Sequence, residues 1–438
     1  MALSLQDVFR FAQEQDVKFI RLAFCDMFGA LKNISVMTTE LPRVIENGIS
    51  FDPTMIRGFP PAREDLYLHP DLDTLTILPW RPSQGRVIRM YCHIRHADGR
   101  AFAGDGRALL RRTAEQLKNK GYLCKIGPEC EFYLFEVGAD GNPTRRPQDM
   151  AGYFDVSPLD RGENVRRDIC LTLEEMGIQP ENSHHEQGPG QNEIDFHHSD
   201  ALAAADQLVS FRNVVKSIAA RNGLFASFMP KPLPASSGSG LHINISISKS
   251  GYNIFRGGTG KQAEDARHFI AGVLNRVAET TAVLNPLTNS YRRFGTYEAP
   301  EYITWCQETR SQLVRIPAAK GEYARMELRS PDPACNPYLA FALLIRAGVE
   351  GLEQKLPLAE PANFDLRGEA AGTLDQYRKL PATLGEALTL AENSRFLRDC
   401  LPAELVTSYI AVKKAEWQAY LAAEDKDAFE QETYFATV

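Results

Sequence analysis

The sequence predicts an α+β fold in two unequal parts, a small N-terminal α+β domain and a large C-terminal α/β domain. Three observations carry this. At 438 residues the chain exceeds the size at which a single hydrophobic core usually stops growing. Segments that alternate apolar and polar side chains, the strand period, are interleaved with longer segments of helical period. A Gly- and Asp-rich stretch, HADGRAFAGDG at 96–106, stands between the first group of elements and the rest.

From the N terminus, MALSLQDVFRFAQEQD reads as a capped amphipathic helix, without the basic start and apolar run of a secretory leader. VKFIRLAFCD (17–26) and VIRMYCHI (87–94) read as strands. The Pro-rich, acidic FDPTMIRGFPPAREDLYLHPDLD between them reads as loop. RALLRRTAEQLKNKG is an amphipathic helix ending at Gly121, and a second long helix covers roughly 200–222. A third opens at NPYLAFALLIRAGVEGL, with Asn336 as N-cap and Pro337 at the first helical position. There is no internal repeat and no low-complexity tract.

Composition narrows the function classes. The chain is 44% hydrophobic and 24% charged, ordinary for a soluble protein. A net charge of −7 leaves no basic footprint for nucleic acid. No apolar run approaches the ~18 residues that span a bilayer. The eight cysteines form no CxxC pair, so neither a disulfide framework nor a zinc site is indicated, and a cytoplasmic location is expected.

The chemistry lies on the polar faces of four strands, since alternate side chains share a face. In IGPECEFYLF (126–135), Glu129 and Glu131 share one face, with Cys130, Phe132 and Leu134 opposite. In HHEQGPGQNEIDF (184–196), Glu186 and Glu193 flank a Gly-Pro-Gly turn, and Gln191, Glu193 and Asp195 share a face. In LHINISIS (241–248), His242, Asn244, Ser246 and Ser248 line one face, and in YARMELRS (323–330) Arg325, Glu327 and Arg329 do. The bland reading is four strands with a solvated side, and for one strand alone it is the better reading. Together the faces contain no lysine. If they converge, five carboxylates and one imidazole repel one another unless cations sit among them. Oxygen ligands with a single histidine suit Mg²⁺ or Mn²⁺ rather than zinc. Arg325 and Arg329 beside them suit a phosphate or a substrate carboxylate. Metals with arginine clamps are the usual parts of phosphoryl transfer. GGTGK (257–261) hints at a P-loop, but Phe255 and Gln262 stand where the Walker pattern needs Gly and Ser or Thr, so it reads as a surface turn.

Six segments, in order, resemble the type I glutamine synthetase family, and the likeness covers nearly the whole chain. They are GPECEF, HHEQGPGQNEIDF, FMPKPLPASSGSGLHINIS, NSYRRFGTYEAPEYITW, TRSQLVRIP and RMELRSPDPACNPYLAFA. The resemblance implies a β-grasp-like N-terminal domain over 1–103 and a catalytic domain over 104–438 with a curved antiparallel sheet. It implies an ATP-dependent ligase that makes a γ-glutamyl amide through γ-glutamyl phosphate, with ammonia the leading acceptor. By resemblance Glu131, Glu186 and Glu193 hold one Mg²⁺ or Mn²⁺, and Glu129, His242 and Glu327 hold another that bridges the ATP phosphates. Arg293, Arg310 and Arg329 match glutamate and phosphate clamps, and Gly238 a contact to glutamate. Ser246, Arg315 and Arg325 match the nucleotide side. Glu298 matches a flap glutamate, Asp52 the aspartate that takes a proton from ammonium, and Tyr153 an ammonium-site tyrosine. The family's assembly implies a homo-oligomer, a dodecamer of two stacked rings with active sites between subunits.

The departures cluster near the substrate. The family's FDGSS reads FDPTM, with Met55 replacing a serine of the ammonium pocket. The flap, RRFGTYEAP, is one residue shorter. The family's Asn-Gly reads Ser237-Gly238, and Thr309 replaces the Asn before the clamp arginine. The Tyr-Asp-Leu-Pro adenylylation site of some bacterial members is absent; QYRKLPATL has its tyrosine in another register. Methionine lowers local polarity and serves a bare cation poorly. A ligase for another small amine is therefore the alternative, and a non-catalytic ring-forming relative is the alternative from another class.

Overall fold

The computed structural model describes residues 3–61, 64–257, 261–307, 309–367, 369 and 371–438. The first helix, Leu5–Glu14, begins at a reciprocal capping box in which Ser4 and Asp7 each bond the other's backbone N–H. The N-terminal sheet holds β1 (Val17–Cys25), β2 (Leu31–Met37), β3 (Ile49–Phe51), β4 (Leu66–Pro70), β5 (Thr76–Ile77) and β6 (Arg86–Arg95). Their order is β2-β1-β6-β4-β3, with β5 also on β6. β1 and β6 run parallel, and their inward residues Ile20, Leu22, Ile88 and Met90 are buried. The segment expected to be loop contains β4. Its alternation, Leu66 and Leu68 inward, lasts only two apolar residues in a Pro-rich stretch, and pairing with β6 completes it.

The larger sheet is built on β7 (Tyr122–Val137), a 16-residue strand. It continues through β8 (Pro143–Pro147), β9 (Pro180–His185), β10 (Gln191–Phe196), β11 (Ser199–Asp200), β12 (Leu224–Ser227), β13 (Leu241–Lys249), β14 (Tyr252–Asn253), β15 (Trp305–Cys306), β16 (Val314–Arg315) and β17 (Met326–Leu328). The main order is β15-β16-β17-β13-β7-β10-β9, with β8, β11 and β12 on β7 and β14 on β13. Every pairing that involves β7, β10 or β13 is antiparallel. The expected strand at 323–330 is shorter, because a 3₁₀ turn at Gly321–Tyr323 precedes β17.

One face of this sheet is covered by helices. Phe132, Phe196, Phe211 and Phe228 pack ring on ring beneath β7 and β10, with Phe211 supplied by the helix Ala201–Arg221. The helix Pro337–Gln354 starts at Asn336, whose side chain accepts from the N–H groups of Tyr338 and Leu339. It crosses the helix Lys261–Leu284 at Gly272 and Gly351, where a Cβ would lie 2.1 Å from a carbonyl oxygen of the other helix. The sequence pattern gave no reading for that 24-residue helix; Gly258–Gly260 lie outside the described residues, and Lys261 opens the helix. The two sheets are joined by buried charge. Arg107 reaches Asp71 of the N-terminal part at 3.0 Å and Asp206 at 2.9 Å, and Tyr338 donates to Asp206 at 2.7 Å. With its other face open, the large sheet presents its polar side chains to a cavity.

Candidate active site

The cavity has a volume of about 780 Å³ and is floored by β7, β10 and β13, with Arg325 and Arg329 entering from either end of β17. Antiparallel register sets its acids in a two-by-two block: Glu193 faces Glu131, and Asp195 faces Glu129. On the far side of Glu129 stands His242 of β13, and β17 brings Glu327 alongside Asn244. β10 is buried along its whole length, so these acids are shielded rather than solvated.

Two groups converge closely enough to hold a cation. The ligand atoms of Glu129, His242 and Glu327 lie within 4.8 Å of one another, as do those of His184, Glu186 and Glu193. In the first group His242 Nδ1 is 3.2 Å from Glu129 and 3.6 Å from Glu327. Asn244 donates to the other Glu129 oxygen at 2.8 Å. Burial opposes charge on Glu129, yet the bonds from His242 and Asn244 hold its carboxyl down at about 2. Burial also opposes charge on Glu327, but Arg329, His242 and Arg315 outweigh it and keep the carboxyl below its usual range. Arg315 Nη1 donates to Glu327 at 3.0 Å.

In the second group His184 Nε2 is 3.0 Å from Glu186 Oε1. Glu193 is pushed far upward by burial and by the charges of Asp195, Glu131, Glu129 and Glu186. Asp195 is pushed up to about 7, by burial and then by Glu129. Glu131 is raised by burial; its Oε2 accepts from Gln191 at 2.8 Å and from the Gly240 N–H at 2.9 Å. The structure thus sets His184 with Glu186 and Glu193, while Glu131 faces them from β7. A block of shielded carboxylates with so few cationic partners is a donor set that fits hard divalent cations.

The Gly-Pro-Gly turn between the two glutamates is braced from below. His185 Nδ1 donates to the Glu186 carbonyl at 2.7 Å and Nε2 to Asp149 at 2.9 Å. Asp149 also accepts from the Gly190 and Arg161 N–H groups at 2.9 Å. Gly190 sits at φ +70°, and a Cβ on Gly188 would lie 2.1 Å from the Tyr133 hydroxyl, so the turn requires both glycines.

The arginines line the same cavity. Arg329 is 1% exposed and ties Glu327 to the flap, donating to Glu298 at 3.2 Å. Arg293 is 2% exposed, with Nη1 on the Ser330 and Pro331 carbonyls at 3.0 and 3.2 Å. Arg310 is exposed at the cavity wall, and Arg325 donates to Asn244 at 2.8 Å. Gly238 lines it too; a Cβ there would meet the Pro230 carbonyl and the Arg293 stem. Tyr153 stacks on Phe154 at 4.0 Å between centroids, and both rings meet His184 edge-on.

Two expected residues lie elsewhere. Ser246 lines a smaller adjoining cavity of about 90 Å³, which shares Glu129, Asp195 and Arg325 with the large one. Asp52 is exposed on the N-terminal part, where it caps a turn through Thr54 at 2.8 Å and lines neither cavity. Four cavity residues went unassigned in the sequence reading: His184, Gln191, Asp195 and Asn244. The signal for three was present, since they share the period-2 faces of the assigned acids. Lys231 of FMPKP was also passed over; its ammonium approaches Thr296 of the flap at 3.4 Å and the Tyr297 ring at 4.9 Å.

The family profile described as "Glutamine synthetase, catalytic domain" matches residues 103–434, and "Glutamine synthetase, beta-Grasp domain" matches residues 16–97. The chain belongs to the glutamine synthetase family. Curated glutamine synthetases are similar over almost the full length of both proteins. That of Methanosarcina mazei is 45% identical over 423 residues, 95% of each chain. That of Clostridium saccharobutylicum is also 45% identical, over 421 residues and 95% of each. A solved structure described as a GmaS/ADP complex matches with a TM-score of 0.87 and 30% identity over 98% of this chain and 99% of that one. The Plasmodium falciparum glutamine synthetase matches in fold, with a TM-score of 0.85 at 23% identity over 99% of each chain. Among the described residues no helix is long and apolar enough to cross a membrane.

Proposed function

We propose that this protein is an ATP-dependent glutamate–ammonia ligase, a glutamine synthetase. The observation that carries the reading is the convergence of Glu129, Glu131, Glu186, Glu193 and His242 with five arginines in one cavity, and of Glu327 against His242, in a chain 45% identical to curated glutamine synthetases. The ADP named in the GmaS structure supports a nucleotide site in the same fold.

In this reading the glutamate γ-carboxylate attacks the γ-phosphate of ATP, ADP leaves, and ammonia displaces phosphate to give the amide. Two divalent cations, held by Glu131, Glu186 and Glu193 and by Glu129, His242 and Glu327, supply charge neutralisation for the phosphates and the carboxylate. Arg293 and Arg310 bind the glutamate carboxylate, while Arg329 faces the phosphoryl group being transferred. Arg315, Arg325 and Ser246 hold the nucleotide. Glu298, carried on the flap and tethered to Arg329, closes the site against water and helps deprotonate the tetrahedral intermediate, while Asp52 takes the proton from ammonium.

Asp52 is exposed and lines neither cavity of its own chain, which supports a ring in which it faces the cavity of an adjacent subunit. A dodecamer of two stacked rings is the assembly we infer, in the cytoplasm. A second acceptor class has its own support. Met55 is 80% exposed on the Asp52 loop, and the Tyr153–Phe154 stack is exposed beside Glu186. These apolar groups suit an amine with a short alkyl tail. The non-catalytic alternative is disfavoured because all the acids are kept and converge.

The test is phosphate release from ATP with Mg²⁺ and glutamate, across ammonia and a panel of small amines. One phosphate per γ-glutamyl amide is expected. Absence of glutamate-dependent phosphate release with every amine would overturn the reading.

A further inference from the structure

One corner of the carboxylate block has no role in the reaction just described. Glu129, Glu131 and Glu193 are assigned to the two cations, and Asp195 is left over. It is 9% exposed, and while Asn182 across the strand pair reaches its carboxyl, its Oδ1 is shielded from water with no hydrogen-bond partner among the described residues. Other buried aspartates of the chain are satisfied. Asp149 accepts from His185, Gly190 and Arg161. Asp160 accepts from Arg166 and the Gly162 N–H. Asp332 accepts from Asn285 and the Ala334 N–H. Asp195 instead stands directly across the strand pair from Glu129, a like charge, where opposed carboxylates destabilise a sheet. An orphaned buried acceptor next to a like charge weakens the fold unless a donor arrives with a ligand.

The position of Asp195 says which donor. It lines both the large cavity and the small one that holds Ser246, at their junction with Glu129 and Arg325. The Asp195 carboxylate itself would repel a phosphate oxygen, so its donor is not the nucleotide. Water bound to a divalent cation is a strong donor and carries the opposite charge. Glu129 is the ligand that Asp195 faces; Glu193 lies two residues along the same strand and points to the other group.

We propose that Asp195 is a positioning residue for the cation held by Glu129, His242 and Glu327, accepting a hydrogen bond from that cation's water and retained at the expense of the cation-free fold. The inference deepens the two-cation reading and rests on it. Asp195 touches no substrate; it sets how tightly the nucleotide-side cation is held and leaves the glutamate-side cation alone. An asparagine would keep the shape, remove the charge and give Glu129 a donor in place of a like charge.

The experiment compares Asp195→Asn with the parent protein. Mn²⁺ is titrated without nucleotide and free Mn²⁺ is read by electron paramagnetic resonance. The parent is expected to bind two ions, and the variant to bind both with one weakened about tenfold, as loss of outer-sphere partners usually does. The KM for ATP should rise at limiting Mn²⁺, with kcat at saturating metal within about twofold of the parent's, the split that outer-sphere support produces. In EDTA the variant should unfold at a higher temperature than the parent, and saturating Mn²⁺ should raise it by less. An unchanged Mn²⁺ isotherm overturns the proposal. So does a variant that fails to fold in EDTA or melts below the parent there, because that marks Asp195 as structural. A parent that binds no Mn²⁺ defeats the two-cation reading itself.

Discussion

Replacing Arg367 by alanine should loosen the flap over the cavity. Glu298 is held from two sides, by Arg329 Nη2 at 3.2 Å and by Arg367 Nη1 at 3.6 Å. Arg367 is itself braced by Asp365 through contacts of 2.7 and 2.9 Å. The segment before it is pinned by Gln312, which donates to the Ala362 and Phe364 carbonyls at 2.8 Å, and by Ser311, which accepts from the Leu366 N–H. The two contacts to Glu298 are unequal. The bond from buried Arg329 is charge-assisted and worth ~1.5–3 kcal/mol. Arg367 is 51% exposed, so its longer pair is worth ~0.5–1 kcal/mol after solvent screening. Losing ~0.5–1 kcal/mol multiplies the open population by about two to five. Hydrogen exchange over residues 293–299 should quicken by that factor. Water should also reach the acyl phosphate, so phosphate released should exceed amide formed, with the excess absent in the parent. Unchanged exchange in the flap, or a fall in turnover with phosphate and amide still equal, would refute the latch.

Glu193→Ala should remove one of two bound Mn²⁺ ions and abolish turnover while circular dichroism stays that of the parent; an unaltered binding stoichiometry would contradict the assignment. Met55→Ser restores a hydroxyl, and a hydrogen bond to a charged donor is worth ~1.5–3 kcal/mol, against ~0.8 kcal/mol for each CH₂ an alkylamine buries. The variant should therefore lower the KM for ammonia relative to methylamine, and an unchanged ratio would show that position 55 plays no part in acceptor choice. Light scattering should report an oligomer of ring size, and a fully active monomer would rule out an Asp52 donated between subunits.

Much of the site was legible because a strand's faces are a local property. The period of two put Glu129 with Glu131, Gln191 with Glu193 and Asp195, and His242 with Asn244, and the large cavity takes these faces except Asn244, which lines the small one. The helix start at Asn336 was equally local, since Asn before Pro satisfies the first turn's N–H groups wherever the helix goes. β4 was misread because its pattern is too brief to stand alone, and pairing with β6 on one side and β3 on the other makes it a strand. The helix Lys261–Leu284 was missed because its apolar side is broad, as a helix buried against Pro337–Gln354 must be, and shows no clean periodicity.

The sequence by itself determined which side chains share a face, which ends are capped and which family motifs stand in order. Tertiary structure alone decided which faces meet. Register, a product of pairing between segments far apart in the chain, set Asp195 against Glu129 and His242 on Glu129's other side. Packing put His184 beside Glu186 and gave Glu131 to Gln191 and Gly240. It also left Asp52 exposed and outside the lining of both cavities of its own chain. The physical reason is that charge and hydrogen-bond satisfaction depend on neighbours in space. A lone acid reads the same in any strand, whereas burial and the groups opposite decide whether it is paired, orphaned or poised for a cation.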